Sequence, residues 1–496
     1  MKEMNKDRID TISPRNAAWR EELRQSMSAK ERSSIPRSVM PELPADYRVK
    51  TMTGEVNEGL SEDQAVMESK RCLDCPDPGC VGGCPVGINI PGFIKNIERK
   101  NFKDAAITLK ETSALPAVCG RVCPQEKQCE SKCIYNKMKK APVAIGWLER
   151  FAADRAVDFS SDSSLPGRMA SNGIKVAVVG SGPAGLSFAG DMSRRGYDVT
   201  VFEALHEIGG VLKYGIPEFR LPNSVVDVEI ESLKRSGVKF ETDVIIGKTY
   251  SYDDLLNMGF KGIFVASGAG LPRFMGIKGE NLIGVMSANE YLTRINLMGA
   301  GKPGYATPVL RGKNVAVIGG GNTAMDSVRT ARRMGAERAM IVYRRSEDEM
   351  PARLEEVKHA KEEGVEFLTL HNPIEYRADE SGRVSSMLLQ RMKLGEPDAS
   401  GRRSPVAIEG DTVEIPVDVV IVSVGVSPNP LIPDSIEGLE VTKRGTIAVN
   451  DETLQSSMPL IYAGGDIVRG GATVILAMGD GRHAASAMSE RLKVTL

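Results

Sequence analysis

The sequence has no excess of charge of either sign and no long apolar run. Its 64 Lys and Arg residues against 65 Asp and Glu residues leave a formal charge of −1, which does not indicate a surface for nucleic acid or for an anionic membrane. The longest apolar stretch, residues 417–426, is about half of the roughly 20 residues that a membrane span needs. The first ten residues lack the apolar core of a signal peptide. We therefore expect a cytoplasmic protein with no membrane and no nucleic-acid partner.

Cysteine is absent from residues 134–496, and histidine and aromatic residues are scarce, at four residues and 5%. All eight cysteines lie between Cys72 and Cys133, a confinement that a secreted disulfide framework rarely shows in so long a chain. Metal ligation in a reducing compartment explains it better. None of the four histidines is predicted to be catalytic.

The chain divides into a cysteine-bearing part and an α/β part. Residues 1–160 contain charged helical stretches, and a polar run at residues 159–167 is typical of a linker. From Ile174 onward, β-branched strands alternate with glycine-rich turns and helices, which predicts parallel α/β architecture.

A strand, a glycine-rich turn and a helix occur twice in the α/β part, about 140 residues apart. The copies read KVAVVGSGPAG at residues 175–185 and NVAVIGGGNTA at residues 314–324. In this context the glycines permit the tight turn, the approach of a pyrophosphate and close helix packing. The candidate cofactor residues are Gly180, Gly182, Pro183, Ala184 and Gly185 in the first copy and Gly319, Gly321, Asn322, Thr323 and Ala324 in the second.

The residues that end the strand after each glycine-rich turn indicate which dinucleotide binds there. Glu203 ends VTVFE, and its carboxylate suits ribose hydroxyls but would repel a 2′-phosphate. Arg344 and Arg345 end IVYRR, and paired guanidiniums match a 2′-phosphate in charge and shape. We therefore predict FAD at the first copy and NADPH at the second. The alternative is that the arginine pair is only a solvated surface.

The C-terminal part carries a further strand that ends in Gly464, Gly465 and Asp466. We expect this segment to return to the first nucleotide-binding domain and to bring Asp466 to the flavin. The predicted domains are an N-terminal helical domain at 1–160, the first part of the FAD domain at 172–305, an NADPH domain at 306–430 and the second part of the FAD domain at 431–496.

The cysteines form two sets with similar spacing. The first set is Cys72, Cys75, Cys80 and Cys84, and the second is Cys119, Cys123, Cys129 and Cys133. The first set ends in Cys-Pro like a bacterial ferredoxin run. Zinc sites with four cysteines usually consist of two Cys-x2-Cys pairs, so iron–sulfur clusters are favoured over zinc.

The motifs CLDC at residues 72–75, CPV at 84–86, CGRVCP at 119–124 and LERF at 148–151 resemble the small (β) subunit of NADPH-dependent glutamate synthase. The same module is similar to the N-terminal part of dihydropyrimidine dehydrogenase and to the large subunit of NADH-dependent ferredoxin:NADP oxidoreductases. The resemblance runs from about residue 59 to the C-terminus. It implies an α/β two-dinucleotide-binding-domain flavoprotein, Rossmann-like, with the second domain inserted in the first and an N-terminal α-helical iron–sulfur domain.

The resemblance also implies which residues hold the cofactors. One [4Fe-4S] cluster would take Cys72, Cys75, Cys80 and Cys133, and the other would take Cys84, Cys123, Cys129 and Glu149. Cys119 would then be a nearby non-ligand, although the spacing alone also allows two clusters with four cysteines each. Surface ion pairing is the alternative role for Glu149. Flavin-lining segments would include Gly210, Lys213, Gly465, Thr473 and Val474.

Hydride transfer from nicotinamide to flavin depends on positioning and not on a protein acid or base, so we predict no catalytic side chain. The first hypothesis is a glutamate synthase small subunit that passes electrons to a separate large subunit in a hetero-oligomer. The second is the large subunit of an electron-bifurcating ferredoxin:NADP oxidoreductase, which works with a ferredoxin-like chain that carries flavin and a [2Fe-2S] cluster. The third is a cluster-bearing scaffold that binds nucleotide without turnover.

Overall fold

The computed structural model describes residues 12–156, 169–399 and 401–495, so the linker predicted at residues 159–167 lies outside the described residues. Helices dominate residues 12–156. Side chains cap the N-termini of several of these helices. Ser61 forms a capping box with Gln64, and the side chains of Asn89 and Asn101 each accept a hydrogen bond from a backbone N–H. The helices are α1 (Ala18–Ser26), α2 (Ala29–Ser34), α3 (Ala45–Arg48), α4 (Glu62–Lys70), α5 (Gly79–Gly82), α6 (Ile90–Glu98), α7 (Phe102–Lys110), α8 (Pro116–Val122), α9 (Ile134–Lys137) and α10 (Ile145–Asp154).

The chain then alternates strands and helices, as the sequence predicts. The elements up to residue 272 are β1 (Lys175–Val179), α11 (Pro183–Arg194), β2 (Asp198–Phe202), α12 (Val211–Tyr214), α13 (Asn223–Arg235), β3 (Lys239–Glu241), α14 (Tyr252–Asn257), β4 (Phe260–Val265) and β5 (Leu271–Pro272). The next elements are β6 (Val285–Ser287), α15 (Ala288–Asn296), β7 (Asn314–Ile318), α16 (Asn322–Arg333), β8 (Arg338–Tyr343), α17 (Leu354–Glu362), β9 (Glu366–Thr369), β10 (His371–Ala378), β11 (Val384–Pro397), β12 (Arg403–Pro416), β13 (Val419–Val422) and β14 (Val426–Ser427). The last elements are α18 (Leu431–Ser435), β15 (Ile461–Ala463), α19 (Asp466–Arg469) and α20 (Val474–Thr495).

Two parallel five-stranded sheets organise the α/β part. The first has the order β15-β4-β1-β2-β3 and the second β6-β13-β7-β8-β9. Strand β15 pairs in parallel with β4, with Ile461 beside Ile263, so the chain returns to the first sheet after it has built the second. This confirms the predicted insertion of the second nucleotide-binding domain into the first. An antiparallel sheet of β10, β11 and β12 is attached to the second domain.

One predicted boundary differs from the structure. The sequence pattern predicts an FAD domain up to residue 305, yet β6 pairs with β13 in the second sheet, with Val285 beside Val420. The second domain therefore begins before residue 285. Because β6 has three residues and no glycine-rich turn after it, the sequence pattern does not reveal the earlier boundary.

The helical N-terminal part and the first sheet share one hydrophobic core. A continuous cluster of buried side chains extends from Cys119 and Leu148 through Phe188 on α11 to Met478 on α20. Helices α11 and α20 cross closely, since a Cβ at Gly481 would lie 2.3 Å from the Ala184 carbonyl oxygen. None of the described helices combines the length and the apolar character that a membrane-spanning segment requires.

Candidate redox site

The eight cysteine thiols, none of them in a disulfide, lie in two groups. Group A is Cys72, Cys75, Cys80 and Cys133, and group B is Cys84, Cys119, Cys123 and Cys129. The groups do not follow the order along the chain. The last cysteine joins the first three, and Cys84 joins the members of the second set.

Group A brings four thiols together at the edge of the helical domain. Burial raises the pKa of Cys72 to about 11. Burial also raises the pKa of Cys80, and the other three thiols of the group raise it further. Thiolates so close together repel one another unless a cation lies among them, and bound iron supplies such a charge. Group A therefore fits a metal cluster.

Group B includes a carboxyl group besides its thiols. Burial raises the pKa of Cys84 to about 12, and the nearby charge of Glu149 is the next cause. Glu149, on α10, is 5% exposed, and its Oε1 atom has no hydrogen-bond partner among the described residues. Burial raises the pKa of Glu149 to about 8, with a further contribution from Glu229. A buried carboxyl oxygen without a partner is costly, and a metal ligand position would satisfy it.

A glycine sets the distance between Glu149 and the second cysteine set. A Cβ at Gly120 on α8 would lie 2.5 Å from the Arg150 backbone nitrogen on α10. The two helices touch there, which brings Glu149 close to the thiols of α8. Because Glu149 is buried, the alternative role of surface ion pairing does not fit the structure.

Cys119 lies between group B and the α/β part. Its thiol is hydrogen-bonded to Cys123, and its Sγ atom is 3.4 Å from Sδ of Met478 on α20. Cys119 is fully buried. It is therefore close to group B on one side and to the first nucleotide-binding domain on the other.

Both glycine-rich turns have the shape that a dinucleotide requires. Gly180 has φ +103° and Gly319 has φ +138°, and a Cβ at either would collide with the neighbouring strand's backbone, 2.5 Å from Ala266 O and 2.3 Å from Ser423 O. The following helices, α11 and α16, each have a glycine as the N-cap residue, Gly182 and Gly321, and no side-chain cap. Their N-terminal N–H groups are therefore available to a pyrophosphate.

Glu203 ties together the loops of the first turn. Its Oε2 atom accepts hydrogen bonds from Ser181 N at 2.8 Å and Ser181 Oγ at 2.5 Å, and its Oε1 accepts one from Leu205 N at 2.9 Å. Ser181 Oγ in turn accepts from Gly209 N. Each carboxylate oxygen has more than one lone pair, so Glu203 retains capacity for a ribose hydroxyl beside the glycine turn.

The C-terminal segment reaches the same place. A Cβ at Gly465 would lie 3.0 Å from the Ala184 side chain, so Asp466 follows directly at the N-terminal end of α11. Burial raises the pKa of Asp466. Val474 is the first residue of α20, and Thr473 directly precedes it. The structure thus brings Gly465 and Asp466 to the first glycine turn, and Gly210 joins them, since its Cβ would lie 3.0 Å from Gly182 Cα.

Lys213, also predicted to contact FAD, is engaged in ion pairs. Its Nζ atom lies 2.7 Å from Glu207 and 2.6 Å from Asp227. These carboxylates raise the pKa of Lys213 against the effect of burial, which lowers it. Its ammonium group is therefore held beside the flavin segment by protein carboxylates.

The two arginines predicted to bind the 2′-phosphate lie in different environments. Arg344 is exposed and has no ion-pair partner among the described residues. Arg345 is buried, its guanidinium lies 2.6 Å from Asp398, and it donates a hydrogen bond to the Arg403 carbonyl at 2.9 Å. Arg344 is thus accessible to a phosphate, whereas Arg345 holds the β11–β12 connection.

Arg353 joins the second glycine turn to the cluster-bearing part. Its backbone N–H donates to Asn322 Oδ1 at 2.9 Å, at the start of α16. Its guanidinium donates to the Arg121 carbonyl at 2.7 Å and to Gln125 Oε1 at 2.9 Å, within the second cysteine set. One residue therefore connects Asn322, a predicted NADPH contact, with the chain around Cys123.

The family follows from comparison with known proteins. Residues 48–160 match the dihydropyrimidine dehydrogenase domain II, 4Fe-4S cluster family, and residues 174–481 match the pyridine nucleotide-disulphide oxidoreductase family. The chain is 38% identical to the glutamate synthase [NADPH] small chain of Escherichia coli over 446 residues, 89% of this chain and 94% of that protein. It is 36% identical to the glutamate synthase [NADPH] small chain of Azospirillum brasilense, over 87% of this chain and 90% of that one. The chain belongs to the glutamate synthase small-chain family.

Other relatives of this glutamate synthase small-chain family member have different names. The NADP(+)-dependent formate dehydrogenase subunit beta of Moorella thermoacetica is 38% identical over 84% of this chain and 60% of that protein. FprA from Mycobacterium tuberculosis, solved in complex with NADPH, shares the fold with a TM-score of 0.55 and 20% identity, over 65% of this chain and 85% of that one. The predicted family, fold class and oxidoreductase type are confirmed.

Sequence reasoning missed three residues of this family member's site. Met478 contacts Cys119 and Arg353 contacts Arg121, and each contact joins residues more than 200 positions apart in the sequence. No local sequence pattern could therefore identify them. Asp74 does have a local signal, since it lies between Cys72 and Cys75. An acid buried between two predicted metal ligands requires a cationic partner, but the sequence does not say which one.

Proposed function

We propose that the protein takes electrons from NADPH at FAD and passes them through two [4Fe-4S] clusters to a protein partner. The observation that carries this proposal is the contact of group B with the first nucleotide-binding domain, at Cys119 and Met478. The first glycine turn would hold FAD, which would supply hydride acceptance from NADPH and one-electron release, and the cysteine groups would hold clusters suited to one-electron transfer.

The two glycine turns would hold the two dinucleotides. Gly180, Gly182 and the N-terminus of α11 would bind the FAD pyrophosphate, with Glu203 on a ribose and Asp466 on the other side of the turn. Gly319, Gly321 and the N-terminus of α16 would bind NADPH, with Arg344 on the 2′-phosphate. The protein's contribution to hydride transfer is then positioning.

Groups A and B would each hold one cluster. Group A supplies four thiols, Cys72, Cys75, Cys80 and Cys133. Cys84, Cys123 and Cys129 supply three ligands of the second cluster, and the unpartnered oxygen of Glu149 supports it as the fourth ligand. Cys119 could replace Glu149, and this alternative is distinguished by mutation below.

The positions of the groups suggest the direction of electron flow. Helix α20 touches group B through Met478, and a Cβ at Gly479 would lie 3.1 Å from the carbonyl oxygen of Pro85, next to Cys84. Group A has two partly exposed cysteines, Cys75 and Cys80, and group B has one, Cys84. Electrons would therefore pass from the flavin to group B, and from group B to group A and the surface.

The partner would be a glutamate synthase large subunit, as the names of two relatives suggest. A relative of the same identity as the E. coli small chain is named as a subunit of a different enzyme, a formate dehydrogenase, so related chains work in more than one assembly. The second candidate partner is a ferredoxin-like chain that carries flavin and a [2Fe-2S] cluster. Anaerobic purification from the native host should retain one of them, and the identity of the retained chain decides between the two assemblies.

The test of the proposed function itself is the cofactor content and reduction of the protein purified without oxygen. We expect one FAD, iron and sulfide for two clusters, and bleaching of the flavin absorbance on addition of NADPH. Cofactors that are present but not reduced by NADPH would instead support the nucleotide-binding scaffold.

A further inference from the structure

Three exposed lysines and a methionine follow each other on the segment around Cys133. Lys132, Lys137 and Lys139 are exposed and have no ion-pair partner among the described residues, and Met138 between them is 41% exposed. We call these four residues the lysine patch. Lys140 is not part of it, because its Nζ donates hydrogen bonds to Ser33.

The lysine patch lies directly against group A. Lys132 and α9 flank Cys133 in the chain. A Cβ at Gly79 would lie 3.0 Å from the Lys132 carbonyl oxygen, so this backbone packs on α5, the helix that carries Cys80. The patch therefore lies at the end of the cysteine region that includes the partly exposed Cys75, Cys80 and Cys84, whereas Cys123 and Cys129 are buried. The Lys132 side chain also borders the chain before Cys84, since a Cβ at Gly83 would lie 3.0 Å from Lys132 Cγ.

Nearby acids do not neutralise the patch. Glu130 is buried and its carboxylate lies 2.8 Å from Arg37. Asp74 is fully buried and is ion-paired to Arg20 and Arg24. The loop between Cys75 and Cys80 contributes one exposed acid, Asp77. A chain of formal charge −1 thus has a local excess of positive charge beside one group of thiols.

We propose that the lysine patch is the docking surface for an electron-accepting protein whose own redox centre is surrounded by acidic residues. This inference rests on the proposed function, because it takes group A as the point where electrons leave. Lysines are mobile, strongly hydrated charges, and unpaired charges of one sign steer an oppositely charged partner and accelerate its encounter. Met138 supplies a small apolar centre for a brief, low-area contact.

The reaction at this surface is the oxidation of NADPH by a one-electron carrier protein. One NADPH gives up two electrons and releases one proton. Two molecules of an oxidised one-electron carrier each accept one electron, and no bond to the carrier forms. An acidic ferredoxin is a one-electron carrier of this kind and serves as the probe.

The experiment compares two triple variants of the holoprotein, prepared without oxygen. The patch variant is K132E/K137E/K139E. The control is K239E/K248E/K443E, which reverses three exposed lysines of the nucleotide-binding part that have no ion-pair partner among the described residues. NADPH-driven reduction of ferredoxin is followed by coupled cytochrome c reduction at low and high salt, with ferricyanide as the small-molecule acceptor.

At low salt we expect the patch variant to lose about ten- to a hundred-fold in kcat/KM for ferredoxin, with the difference shrinking at high salt. Its iron content and its ferricyanide rate should equal those of wild type. Equal losses in both variants, or no loss in the patch variant, would overturn the proposal. If wild type fails to reduce ferricyanide with NADPH, the proposed function fails instead.

The same variants distinguish a protein partner from an anionic membrane. Vesicles of phosphatidylglycerol and phosphatidylcholine are sedimented with each protein. Binding of wild type but not of the patch variant, together with an unchanged ferredoxin rate, would assign the lysine patch to lipid and would overturn the docking proposal.

Discussion

The Sγ atom of Cys119 lies 3.4 Å from Sδ of Met478. These two residues are far apart in the sequence, and one belongs to the cysteine region while the other belongs to the last helix of the flavin-binding part. Their contact makes the helical domain and the first nucleotide-binding domain one packed unit. It also makes Cys119 the cysteine whose role is most open to test.

Cys119→Ala should leave both clusters in place, because Glu149 and not Cys119 is the proposed fourth ligand of group B. Cys123→Ala, the matched control at the residue that follows α8, should lose one cluster. Iron and sulfide analysis of the two proteins purified without oxygen checks this. Loss of one cluster's iron from Cys119→Ala would show that all eight cysteines are ligands.

Glu149→Ala should lose or alter one cluster, since it removes the unpartnered carboxyl oxygen. Glu149→Gln keeps an oxygen at that position and should retain the cluster with an altered electron paramagnetic resonance spectrum. Should the alanine variant show the iron content and spectrum of wild type, Glu149 is not a ligand.

Arg344→Ala should raise KM for NADPH about 10- to 100-fold, as expected for a lost charge-assisted hydrogen bond of about 1.5–3 kcal/mol. Activity with NADH, which lacks the 2′-phosphate, should change little. Arg338→Ala is the control, because Arg338 begins β8, the strand that Arg344 directly follows, and is paired with Glu366. Steady-state kinetics with ferricyanide measure all three proteins, and equal effects of Arg344→Ala on both coenzymes would contradict the assignment.

The double variant Arg20→Ala/Arg24→Ala should destabilise the helical domain by about 3–5 kcal/mol, the usual cost of leaving a buried charge without its partners, because both arginines are ion-paired to Asp74. Asp74 is completely buried and Arg20 is 1% exposed. Lys234→Ala removes an exposed pair with Glu231 and should cost less than about 1 kcal/mol. Thermal unfolding without oxygen, followed by circular dichroism, checks the contrast. Equal melting temperatures for the two variants would show that the ion pairs of Asp74 contribute little.

The sequence predicts the fold where the determining pattern is local. The turns at Gly180 and Gly319 are recognisable because strand, glycines and helix occupy one short window, and the structure shows the same φ requirement at both. The buried strands around them follow from their β-branched runs. The three-residue strand β6 has no such pattern, so the start of the second domain could not be placed.

The site is less predictable because its contacts are distant in the sequence. Spacing alone could not assign Cys133 to the group of Cys72. The paired arginines looked equivalent, but Asp398 engages Arg345 and leaves Arg344 exposed. The first 58 residues fell outside the family resemblance, and the structure shows Arg20 and Arg24 of that segment holding Asp74 beside two group A cysteines.

The most direct test of the electron path is rapid mixing of the oxygen-free protein with NADPH, followed by absorbance and by freeze-quenched electron paramagnetic resonance. We predict that the flavin absorbance bleaches first and that the signals of reduced iron–sulfur clusters appear afterwards, with NADH much less effective. A protein that lacks colour and iron, or a flavin that bleaches while the clusters never become reduced, would contradict the account.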